Sequence, residues 1–113
     1  MIEANNYASL LLTLKRFEEA KSLLCKVMPM ARRVLSESHE VTLKLKWIYA
    51  EVLYKDDGAT LDDLREAVTT LEDADRTARR VLGSAHPDVA SIEKSLRNAR
   101  AALRARETPP SSA

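Results

Sequence analysis

Glycine occurs 2 times and proline 4 times in 113 residues, and aromatic side chains make up 4%. A β-sandwich or barrel of this size needs turn residues at each reversal and β-branched or aromatic runs in its strands, so their scarcity argues for helices. A lone cysteine, Cys25, cannot form an internal disulfide, which fits a reducing compartment and predicts a cytoplasmic protein. No stretch reaches the roughly 20 apolar residues of a membrane span. The opening MIEANNYASLLLTLKR also lacks the basic-then-apolar order of a secretory signal. Charge is nearly balanced, 18 basic against 17 acidic residues for a net of +1, so neither nucleic acid nor membrane is expected as a partner.

The apparatus of catalysis is missing as well. There is no nucleophile elbow, no Gly-rich phosphate loop and no paired Cys/His set, so no enzyme activity, cofactor or metal is expected. DDGATLDD, residues 56–63, has the acidity of a calcium loop without its alternating ligands or closing bidentate Glu, and reads instead as helix capping. His39 and His86 lack a second ligand at usable spacing and are expected to bond backbone groups in loops.

What remains is 45% hydrophobic and 31% charged, the balance of an ordinary globular domain with a modest core. Apolar residues recur at steps of three and four in five segments, about 3–14, 16–35, 40–55, 61–82 and 87–106. In the first, Ala4, Tyr7, Ala8, Leu11 and Leu14 share a face and are expected in the core. Cys25 follows Leu24 on an apolar face and is expected there too, and Val34 and Leu35, like Val81 and Leu82, are expected to close their helices over the next unit. Gly58 and Gly83 are expected as left-handed C-caps, Thr60 as an N-cap and Pro87 as a first helical residue. Pro29 lies inside the second segment, where the continuing apolar spacing predicts a kink rather than a break. Residues 107–113 read as a flexible tail.

ARRVLSESHEVT, beginning at Ala31, returns 47 positions later as ARRVLGSAHPDV, beginning at Ala78. Tyr7-Ala8 returns as Tyr49-Ala50, 42 positions on, and Phe17-Glu18-Glu19-Ala20 as Leu64-Arg65-Glu66-Ala67, 47 positions on. The difference is a longer inner loop, KDDGATLDD where the first copy has only LKR. The repeated unit is therefore a helix–loop–helix of a helical solenoid.

RFEEAKSLLCKV and ARRVLGSAHPDVASI together resemble the tetratricopeptide repeats of kinesin light chains, which carry a Leu-Gly-x-x-His-Pro-Asp phrase between units. The resemblance spans roughly residues 3 to 103, with Ala8, Ala20, Ala50 and Ala67 where the family packs helices closely. The first copy departs from it, reading Ser36-Glu37-Ser38-His39-Glu40 without the Gly and Pro. The resemblance implies an all-α, right-handed α-solenoid of antiparallel helix pairs, five helices in about two and a half repeats over 1–106. It also implies that first helices line a concave surface binding extended peptides, a protein-interaction scaffold.

The repeat offsets place Asn5 and Ser9 with Trp47, Glu51 and Tyr54, and further on with Lys94 and Asn98, while Lys44 and Lys55 flank the middle set. A Trp and a Tyr beside lysines would suit a protein or peptide that is acidic with an aromatic anchor. The alternative reading of Trp47 is that it covers a seam between helices. The chaperone-tail clamp of related repeats needs Lys-x-x-x-Asn early; the early pair here is Asn5 and Ser9, and Lys94 with Asn98 comes only in the last helix. Arg97, Arg100 and Arg104 form a stripe that reads as a solvated capping face or as a site for an anionic partner. The first helix lacks the joint phrase before it. Two alternatives follow: a structural or capping piece of a longer array, or a module that self-associates as a homodimer through that helix.

Overall fold

A computed structural model describes residues 2–107, and those residues form five helices and no strand: α1 Ile2–Thr13, α2 Phe17–Leu35, α3 Glu40–Lys55, α4 Leu61–Leu82 and α5 Pro87–Glu107. Short connections turn each helix back along its predecessor. The core is continuous, with Leu11, Leu24, Leu45, Leu64, Leu71 and Ile92 under 2% exposed. Ala8, Ala20, Ala50 and Ala67 are each 0% exposed, so the small repeated residues lie where backbones approach closely.

α3 packs on α1 and on α5, whereas the backbones of α2 and α4 stay apart and are joined by an ion pair between Lys21 and Asp63 at 3.5 Å. First helices thus form an inner layer and second helices an outer one. The body measures 51 × 31 × 21 Å, an elongated stack.

The joints are built from side chains that cap helices. His39 Nδ1 accepts the Val41 N–H at 3.1 Å, and His86 Nδ1 accepts the Asp88 N–H at 3.0 Å. At the start of α4, Thr60 Oγ1 accepts from the Asp63 N–H at 3.1 Å while Asp63 accepts from the Thr60 N–H at 3.0 Å. Gly83 ends α4 at φ 91°. Gly58 is not the left-handed cap expected of it: α3 is capped by Asp56, whose carboxylate takes the Gly58 N–H at 2.9 Å. DDGATLDD is a turn followed by a capping box.

Lys46 of α3 is 2% exposed. Its ammonium bridges Glu37 of the first joint at 2.6 Å and Asp73 of α4 at 2.7 Å, tying three elements together. The Lys46 hydrogen bond holds the Asp73 carboxyl below its ordinary range.

Four expectations need correction. Tyr7 and Leu14 are 51% and 54% exposed, because nothing among the described residues lies over that flank of α1. Cys25 is exposed, since it stands on the edge of α2 rather than beneath it. Val34 and Val81 are 64% and 45% exposed, so each joint is covered by the half-buried Leu35 and Leu82 instead. Glu107 belongs to α5, where it pairs with Arg65 at 3.6 Å. α2 runs unbroken through the exposed Pro29. The rest of the expected tail, residues 108–113, lies outside the described residues.

Candidate functional site

Between the inner helices α1 and α3 lies a depression of about 210 Å³ lined by Asn5, Ser9, Lys44, Trp47, Ile48 and Glu51. Helical spacing brings them there. Asn5 and Ser9 are one turn apart, and Lys44, Trp47, Ile48 and Glu51 follow at steps of three, four and seven along one stripe. Ile48, 8% exposed, forms the floor, and Lys44 stands exposed at the rim. The Asn5 Oδ1 atom is buried and has no hydrogen-bond partner.

Trp47 walls this depression from a second cleft between α3 and α5. Its indole N–H donates to Ser95 Oγ of α5 at 2.9 Å, so the ring both faces the groove and closes the seam behind it. Glu51 sits at the centre of a small network. Its carboxylate accepts from the Tyr54 hydroxyl at 3.1 Å and pairs with Lys55 at 3.0 Å, with the Ser95 hydroxyl at 3.5 Å. Burial, and then the Glu51 charge, push the Tyr54 phenol up to about 12. The network leaves Glu51 paired within the fold, and the depression offers a ligand an apolar floor, an aromatic wall and a rim cation.

Five of the sequence candidates, Asn5, Ser9, Lys44, Trp47 and Glu51, therefore meet in one place. Tyr54 and Lys55 join them through Glu51 one turn further along α3. Lys94 and Asn98 do not line the depression: both are exposed on α5, which makes no contact with α1, and Asn98 lies beside the Tyr54 hydroxyl. Sequence reasoning missed Ile48 and Ser95. Ser95 occupies the repeat position of Ile48, 47 residues on, and a polar residue at a core position was the available signal.

The arginine stripe is largely engaged within the fold. Arg97 pairs with Glu93 at 3.2 Å and Arg100 with Glu72 at 2.9 Å, while Arg104 is exposed.

Stacked hairpins with an inner groove define an α-helical repeat protein. Residues 4–40, which hold α1, α2 and the first joint, match the family model described as a tetratricopeptide repeat. Such repeats generally mediate protein–protein interaction and form a scaffold family rather than an enzyme family. Neither the search of curated proteins nor that of solved structures returned a match. No helix among the described residues is long and apolar enough to cross a membrane.

Proposed function

We propose that this protein is a cytoplasmic interaction scaffold whose α1–α3 groove holds an extended peptide segment, acidic and bearing an aromatic anchor. The observation that carries the reading is the depression itself, where Trp47 and Ile48 meet the exposed Lys44 beside Asn5 and Ser9. Lys44 at the rim favours acidic neighbours, and Trp47 with Ile48 provides a surface for an aromatic ring. Lys94 and Asn98 on α5 would meet a ligand long enough to pass Tyr54. The likeness to kinesin-light-chain repeats supports the same use of the inner face. The role is capture, not catalysis.

The test uses Trp47, the single tryptophan, as a built-in reporter. An array of acidic, aromatic-containing peptides identifies ligands, which are then titrated while the Trp47 emission is followed. Asn5→Ala and Lys44→Ala are each expected to weaken binding by about tenfold, or about 1.4 kcal/mol. Neither variant should lower the thermal midpoint, and Asn5→Ala should hold or raise it, since it removes the unmatched acceptor. Capture as tight as the parent in both variants, or an array with no ligand, would defeat the groove reading.

A second reading, self-association as a homodimer through α1, is favoured by one observation: Tyr7, Leu10 and Leu14 are 51%, 51% and 54% exposed along one flank of that helix.

A further inference from the structure

The second helix pair shows what ordinarily covers this flank. On α3, Tyr49 is 9% and Val52 2% exposed. Helix α2 lies over them, with Cys25 near Tyr49 and with Phe17, Glu18 and Lys21 sharing a cleft with Val52. The residues at those positions on α1 are Tyr7 and Leu10, each 51% exposed. The outer helices repeat the contrast: Thr77 of α4 is 9% exposed, and Met30, at its position in α2, is 47% exposed. Tyr7, Leu10, Leu14 and Met30 therefore form an apolar end, the kind of patch that marks an interaction surface.

Among the described residues, the opposite end of the stack has no such patch. Arg97 and Arg100 occupy the positions of Ala50 and Leu53, and both are exposed and ion-paired. An apolar end cannot bury itself on that surface, so head-to-tail stacking is disfavoured. The apolar end is, however, suited to itself. From Ala4 to Leu14, α1 carries no Asp, Glu, Lys or Arg, so the same face of another copy brings no like charge against it.

We propose that two copies pair head to head through α1 in a two-fold, antiparallel contact, a geometry that rests on the self-association reading above. Leu10 of each copy lies near the axis, and Tyr7 of one faces Leu14 of the other. Both apolar ends are consumed, so assembly stops at two.

Sedimentation equilibrium of the full chain over a wide concentration range is expected to show monomer and dimer and nothing larger. Leu10→Glu and Leu10→Lys are each expected to be monomeric where the parent is dimeric. An equimolar mixture of the two should pair again, because opposite charges then meet at the axis. Circular dichroism checks that helix is retained, and Leu14→Gln, at another exposed position, is expected to weaken pairing in the same way. A parent that stays monomeric at every concentration overturns self-association and assigns the face to a helix of another protein. A dimer untouched by Leu10→Glu, a mixture that does not re-pair, or growth past two copies overturns the head-to-head geometry while self-association stands.

Discussion

Ser36 and Gly83 hold nearly the same backbone conformation at the two joints, φ 90° and ψ 162° for Ser36 and φ 91° and ψ 147° for Gly83. Each closes its helix through its N–H, Ser36 onto the Arg32 carbonyl at 3.2 Å and Gly83 onto the Arg79 carbonyl at 3.1 Å. Glycine enters this region freely, whereas a residue with a Cβ is strained there by about 1–3 kcal/mol.

Ser36→Gly is therefore expected to stabilise the protein by about 1 kcal/mol, the strain relief being partly offset by the freer unfolded chain. Gly83→Ala should cost a similar amount through backbone strain alone, since nothing lies within 4 Å of a Cβ built there. Urea denaturation of both variants measures the pair. A Ser36→Gly variant less stable than the parent would mean that the serine hydroxyl contributes something the strain argument omits.

The Lys46 bridge predicts an asymmetry. Its side chain is 3% exposed, while those of Glu37 and Asp73 are 58% and 47% exposed. Lys46→Met keeps the apolar stem and leaves two carboxylates that water can solvate, at a cost of about 1 kcal/mol. Glu37→Gln combined with Asp73→Asn strands a buried cation and should cost about 3 kcal/mol. Equal losses in the two denaturation curves would count against the bridge as described.

Acid should destabilise the fold through two carboxylates. Hydrogen bonding to the Thr60 amide holds Asp63 below its ordinary value of 3.8, and the Lys46 hydrogen bond does the same for Asp73. Their contribution is complete above the unfolded value and is lost as pH falls through the lower folded value. Asp63→Asn is expected to be less stable than the parent at neutral pH, with the gap closing below about pH 4. Thermal melts across that range show whether the two curves converge.

Trp47 is both wall and seam, so Trp47→Ala is expected to cost about 2 kcal/mol, less than a fully buried ring would. Trp47→Phe should recover most of that loss, and Ser95→Ala should cost about 1 kcal/mol by orphaning the indole N–H. Guanidinium denaturation, followed by circular dichroism because the tryptophan is removed, ranks the three.

The helices themselves were legible in the chain. Their spacing is local, and residues such as Thr60, Asp63 and Gly83 mark ends within one turn, so five segments emerge at nearly their observed limits. The site was legible in part. The 42- and 47-residue offsets bring Asn5, Ser9, Trp47 and Glu51 to one groove, because equal positions in equal hairpins face the same way.

What the sequence alone determined, then, is a set of stacked helical hairpins with a common inner face, since periodicity and capping act within a few residues. Tertiary structure alone decided which apolar residues are covered. Tyr7 and Tyr49 stand at the same repeat position, yet one is 51% and the other 9% exposed. Among the described residues, a helix, α2, lies over Tyr49 and none lies over Tyr7. The unmatched Asn5 acceptor, the exposed Cys25 and the Trp47–Ser95 bond are of the same kind. Each depends on a neighbour many residues away, and no local pattern records whether that neighbour is present.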